Sequence, residues 1–149
     1  MDVALRDLTR SNDAARSLAR GAKAILVFPQ IVKGGFLFGG QFGEGALRVG
    51  GKTDGFYRTV SASYGLQAGL QRFGYALFFM NDSALYYFRK TDGWEIGVGP
   101  TLVVVDKGVA AALTSTTARS DIYAFFFDQQ GLMAGIGLQG TKIFRIHPQ

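Results

Sequence analysis

The sequence predicts an α+β protein that is predominantly antiparallel β, and three observations carry that prediction. Apolar runs of strand length recur at Ala24–Phe28, Leu102–Val105 and Ile122–Phe127, closed off by charges or glycines. Glycine supplies 21 of 149 residues, about twice the usual level of about 7%. It is joined by 13 Phe, 6 Tyr and 1 Trp, a pairing that suits curved, tightly packed sheets. Residues Thr59–Gln71 alternate with the period of two that a strand requires. The expected architecture is a barrel- or sandwich-like sheet of about 7–8 strands with short N-terminal helices and one or two further short helices. A single domain over residues 1–149 is expected, with a helical segment at 1–22 and a β-rich core at 23–149.

Each element follows from local pattern. In residues 2–22, Ala4, Leu5 and Leu8 fall on one side, as do Ala15, Leu18, Ala19 and Ala22. Ser11-Asn12-Asp13 interrupts them with short oxygen-bearing side chains that satisfy the free N–H groups of a new helix start. Two short helices fit, and so does one bent helix. Ala24–Phe28 reads as a buried strand stopped by Pro29. From Lys33 to Gly45 glycine is too frequent for a helix, so bent or bulged strands running through Ala46–Val49 are expected. Gly50-Gly51 and Asp54-Gly55 supply turn residues.

Along Thr59–Gln71, Val60 and the apolar positions after it point one way, and Ser61 with the small polar positions after it points the other. Tyr75–Met80 is a further strand. Asn81-Asp82-Ser83 then caps a short helix running from Ala84 to about Lys90, ended by Thr91-Asp92-Gly93. Trp94–Val105 returns to strand character, with Pro100 at a bend or edge position. Ala110–Leu113 fits a helical turn, and Ile122–Asp128, Gly131–Gln139 and Thr141–Ile146 close the chain as strands.

Composition excludes several function classes. With 48% hydrophobic and 18% charged residues the chain is not disordered, and no stretch approaches the roughly 20 apolar residues of a spanning helix. The absence of cysteine excludes disulfides, thiol nucleophiles and cysteine metal sites. The net charge of +5 favours anionic partners, or serves solubility alone. Met1-Asp2-Val3 reads either as a true start, which would fit a cytoplasmic protein, or as the start of a trimmed chain.

Catalytic chemistry finds little to stand on. The one histidine, His147, lies in a Pro-flanked tail where nothing positions its ring for general-base work. Glu44 and Glu95 sit in apolar, glycine-rich sequence. Buried and unpaired, they would have raised pKa values suited to acid–base work; the alternative is a structural ion pair or hydrogen bond with Arg48, Arg58, Lys33 or backbone N–H groups. Gly135-Ile-Gly-Leu-Gln-Gly140 matches the letters of a dinucleotide-binding turn, but only nine residues follow, and they read as strand. No catalytic residue, cofactor or metal is expected, and the chain reads as a non-enzyme.

The basic residues are more informative. Arg6, Arg10, Arg16, Arg20 and Lys23 crowd the first 23 residues. On an unbroken helix they cover an arc of roughly 140° opposite most of the Leu and Ala positions. An apolar stripe with a cationic edge can lie in a lipid interface, or the same stripe can dock on the β core. Nucleic acid is not expected, because the aromatics lie in dense apolar runs such as Phe125-Phe-Phe127 instead of alternating with Arg and Lys.

Ordered blocks from about Ala22 to Ile146 carry a family resemblance. They are Lys23-Ala-Ile-Leu-Val-Phe-Pro29, Lys33-Gly-Gly-Phe with Gly39-Gly-Gln-Phe-Gly-Glu-Gly45, and Ser63-Tyr-Gly-Leu-Gln-Ala-Gly69. Phe79-Phe-Met-Asn81, Gly93-Trp-Glu-Ile-Gly-Val-Gly-Pro100, Tyr123-Ala-Phe and Gly131-Leu-Met-Ala-Gly-Ile-Gly-Leu-Gln-Gly140 follow. With these the chain resembles bacterial members of the SYLF family, also called the Ysc-type actin-binding domain family. The resemblance implies a binding module. Eukaryotic relatives bind phosphoinositide membranes, partly through a basic amphipathic helix at the N-terminus of the domain, and some bind actin filaments. Bacterial relatives are typically exported, often as lipoproteins, so a periplasmic or membrane-anchored location is expected. The expected partners are anionic phospholipids or a membrane surface, met by Arg6, Arg10, Arg16, Arg20, Lys23 and Lys33. The alternative is a protein-interaction module, with an actin-like or cell-envelope partner, that uses a surface of the β core. Its mark would be a large exposed apolar or aromatic patch away from the basic helix. A small-molecule carrier would instead show a closed apolar cavity.

Overall fold

The computed structural model describes residues 2–11, 13–33, 41–61, 73–105, 119–127, 138 and 140–147. In chain order these form α1 (Asp2–Ser11), α2 (Asp13–Gly21), β1 (Ala24–Lys33), β2 (Gln41–Val49), β3 (Lys52–Ser61) and β4 (Phe73–Phe79). They continue with α3 (Asp82–Lys90), β5 (Trp94–Glu95), β6 (Leu102–Val104), β7 (Ile122–Phe127) and β8 (Lys142–Ile146). The expected continuation of a strand over 62–71, the helical turn at 110–113 and most of the strand at 131–139 lie outside the described residues.

The eight strands make one sheet in the order β5-β8-β3-β2-β1-β4-β7-β6, antiparallel at every pairing except β6 with β7. Its two edge strands are consecutive in sequence. A flat eight-stranded sheet would hold them about 34 Å apart, whereas the chain from Glu95 to Leu102 reaches at most about 25 Å. The sheet therefore curls into a half-barrel.

Two predicted stops prove to be bulges. Pro29 does not end β1, which runs on to Lys33; the register shifts between Val27 and Val32 against β2 and between Phe28 and Ile31 against β4. A bulge tolerates the missing proline N–H because the ladder is already interrupted there. Glycines flank the kink, since a Cβ at Gly45 would overlap the Val27 carbonyl oxygen and one at Gly74 would overlap that of Phe28. Asp54-Gly55 lies inside β3, beside the register shift between Leu47 and Arg48. The turn itself is Gly50-Gly51, with φ of 60° and 82°, between the paired Val49 and Lys52. The predicted strand over Trp94–Val105 is two short edge strands joined through Gly97 and Gly99, both at positive φ.

Both sheet faces carry core. On the concave face α3 packs Leu85 and Phe88 among Leu77, Phe79, Tyr57 and Trp94. The Phe88 ring lies 4.7 Å from Tyr57, 5.1 Å from Phe79 and 5.6 Å from Trp94. Asn81 starts α3 as predicted, its side chain accepting from the Ala84 N–H at 2.8 Å. On the convex face Leu8, Ala14, Ala15 and Leu18 of α1 and α2 bury against Val27, Ala76, Phe78, Tyr123 and Phe125 of β1, β4 and β7.

Candidate functional site

The N-terminal region is two helices broken before Asp13, so the arc expected for an unbroken helix does not describe it. Arg16 holds the elbow. Its guanidinium pairs with Asp13 at 2.7 Å and donates to the carbonyls of Thr9 at 3.0 Å and Arg10 at 3.3 Å. The last carbonyls of a helix lack partners within it, and Arg16 supplies donors for two of those of α1.

Arg6, Arg10, Arg20 and Lys23 are exposed, with no ion pair among the described residues. Lys33 is not brought to them: it ends β1, about 30 Å of strand from Lys23. The apolar side of the two helices is spent on the sheet, which leaves the cations, with Asp7 and Asp13 among them, facing outward from this layer.

Glu44 is exposed and pairs with Arg58 at 2.5 Å. Glu95 is also exposed, opposite Lys142 in the β5–β8 register. Neither carboxylate is buried, and Glu44 takes the structural ion pair with Arg58 that its sequence setting offers as the alternative. His147 lies exposed beyond β8. No group of three or more His, Asp or Glu fit to hold a metal occurs among the described residues.

A second surface was not legible in the sequence. Among the described residues, no helix lies on the convex side of β2, β3 and β8. In register across them, Phe42 meets Val60 and Lys142; Glu44 meets Arg58 and Phe144; Ala46 meets Phe56 and Ile146. Phe42, Phe56, Val60 and Phe144 are 37%, 42%, 39% and 37% exposed, and the Arg58 guanidinium lies 5.9 Å from the Phe42 ring. The alternation in β3 is real, but its polar side faces inward. Thr59 and Ser61 are buried, with Thr59 Oγ1 hydrogen-bonded to the Tyr75 hydroxyl at 2.5 Å, while Phe56 and Val60 face solvent. Both phases of β3 contain apolar residues, so period two alone could not say which was inside.

Between the sheet edges an open cleft of about 410 Å³ is lined chiefly by Ile96, Pro100, Leu102, Val104 and Leu138. It is open to solvent, unlike the closed cavity of a carrier.

A half-barrel with solvent-facing cations on one outer layer and bare aromatics beside it has the architecture of a binding module. Residues 60–147 match the Ysc84 family, described as "Las17-binding protein actin regulator", and the chain belongs to that family, whose domain is the SYLF domain. It is a family of actin- and lipid-binding modules. No curated protein matches the chain. The matched stretch runs from the end of β3 to just past β8, and so leaves α1, α2, β1 and β2 outside it.

Proposed function

We propose that this chain is a non-enzymatic module that adsorbs to anionic phospholipid surfaces through the solvent-facing cations of its helical layer. The observation that carries this reading is the set of exposed side chains Arg6, Arg10, Arg20 and Lys23, which make no ion pair among the described residues. Because the apolar face of α1 and α2 is buried on the sheet, the contact is electrostatic and shallow, without helix insertion. Among the described residues no helix is long and apolar enough to cross a membrane. Arg16 acts here as a positioning residue that sets the angle between the helices.

Each basic residue near an anionic surface contributes about 1 kcal/mol, so reversing three of them weakens binding by at least about 100-fold. The test is co-sedimentation with phosphatidylcholine vesicles with and without phosphatidylserine. The wild type should bind only the anionic vesicles, and raised salt should release it. The variant Arg6→Glu/Arg10→Glu/Arg20→Glu should stay in the supernatant. Equal binding of wild type and variant would sink the reading.

A further inference from the structure

One buried donor on the concave side stands without an acceptor. Tyr57 is 3% exposed, and its hydroxyl has no hydrogen-bond partner among the described residues. A buried polar atom left unsatisfied costs stability, so such atoms are few and each calls for an explanation. Its surroundings supply one. The charged groups near enough to act on that hydroxyl are Arg145, Asp54 and Arg89, brought together from β8, β3 and the last turn of α3.

The two guanidiniums are not equally committed. Arg89 pairs with Asp54, its Nη2 at 2.8 Å and its Nε at 3.1 Å from the same carboxylate oxygen. Arg145 is exposed, makes no ion pair among the described residues, and donates to the Asp54 carbonyl at 3.3 Å. Both therefore touch Asp54 and lie within the span of one residue. The Arg145 guanidinium sits 5.7 Å from the centre of the Tyr57 ring, and Gly55 leaves room for it there. A Cβ at Gly55 would come within 2.9 Å of Arg145 Nη2 and 3.4 Å of the ring. A guanidinium carries five N–H donors, so Arg145 keeps several for a ligand.

The sign of that ligand follows from the charges. Lys52, Arg89, Lys90 and Arg145 gather at this end of β3, α3 and β8, against Asp54 and Asp92. The balance is positive with both acids counted, and the Asp54 carboxylate is already taken by Arg89. A carboxylate offers two oxygens in one plane, whereas a phenol and two guanidiniums converging on one point suit a tetrahedral array. We propose that Arg145, Arg89 and Tyr57 form a binding site for a tetrahedral oxyanion, a phosphate or phosphate monoester. The guanidiniums supply charge-assisted hydrogen bonds, and the Tyr57 hydroxyl donates the innermost one. A change of Arg145 rotamer admits the anion and lets the guanidinium close over it. Asp54 stays on Arg89 and holds that side chain in place. The site lies on the other side of the sheet from the helical layer and does not depend on lipid binding there.

Isothermal titration of the full chain with inorganic phosphate, at an ionic strength held constant with chloride, tests the site. The wild type should show saturable one-to-one binding, and acetate should bind at least about fivefold more weakly. Tyr57→Phe and Arg145→Gln should each weaken phosphate by about tenfold, the loss expected for one hydrogen bond to a charged group. Without phosphate Tyr57→Phe keeps the fold, so its lost affinity is not lost structure. Arg6→Glu/Arg10→Glu/Arg20→Glu should titrate with phosphate like the wild type, which separates this site from the lipid reading. Phosphatidic acid vesicles present the same phosphomonoester on a lipid. Weaker vesicle binding by Tyr57→Phe than by the wild type assigns the site to a lipid headgroup; equal binding assigns it to a soluble phosphate ester. Absence of saturable phosphate binding, or equal affinity in the wild type, Tyr57→Phe and Arg145→Gln, overturns the proposal. Acetate binding as tight as phosphate overturns the tetrahedral assignment.

Discussion

Asp121 joins three parts of the fold through one carboxylate. One oxygen accepts from the Asn81 side-chain amide at 2.8 Å, and the other accepts from the Thr101 N–H at 2.9 Å and lies 3.1 Å from the Thr101 hydroxyl. Asn81 meanwhile caps α3, and Thr101 leads into β6. These donors, the Thr101 N–H foremost, hold the Asp121 carboxyl below the ordinary carboxylate range. The unfolded chain therefore binds the proton more readily than the native one. The contribution of Asp121 is complete above about pH 5 and is lost as pH falls through the lowered native value. Urea midpoints at stepped pH should show Asp121→Asn less stable than the wild type near neutrality, with the gap closing in acid. At the same scale, the Tyr57 hydroxyl is buried without a hydrogen-bond partner among the described residues, and burial raises its pKa. Tyr57→Phe removes only that unsatisfied group, so it should raise stability by about 1 kcal/mol in equilibrium unfolding.

At the scale of elements, the elbow between α1 and α2 and the kink in β1 rest on a few specific contacts. Helix α1 is tied to α2 by Arg16 as well as by packing. Arg16→Ala should lower stability by about 1 kcal/mol, and hydrogen exchange should show the amides of α1 opening before those of the sheet. Gly45 sits where β2 presses closest on β1. A methyl there meets the Val27 carbonyl and the Phe28 ring, so Gly45→Ala should cost about 1–3 kcal/mol in a denaturant melt. The Asn81 cap and the Gly50-Gly51 turn were legible because each depends on residues close in sequence. The continuation of β1 through Pro29 was not, because the bulge that accommodates the proline is made jointly with β2 and β4.

For the molecule as a whole, the helical layer is both roof and contact surface. Removing it would uncover Val27, Ala76, Phe78, Tyr123 and Phe125. A chain lacking residues 1–21 should bind a hydrophobic dye and aggregate in size-exclusion chromatography, whereas the triple Arg→Glu variant should remain monodisperse. Charge reversal is therefore the cleaner probe of lipid binding than deletion. The cations of the candidate site were visible in the sequence as a cluster, but their separation into an elbow residue, four exposed side chains and a distant Lys33 was not. The aromatic face escaped notice because its members are spread over three strands that meet only through long-range pairing.

What the sequence by itself determined was local: glycine and aromatic composition called for a curved sheet, apolar runs of strand length marked β1 and β7, and Asx and glycine signals placed the α3 cap and the Gly50-Gly51 turn. The ordered blocks pointed to the family. Tertiary structure decided which side of each strand is inside, and with it which residues are free to bind. Side-chain alternation has two equivalent phases, and only the packing of α1 and α2 on one face and α3 on the other distinguishes them. The curl of the sheet likewise follows from the short link between its two edges, a constraint that exists only once all eight strands are paired.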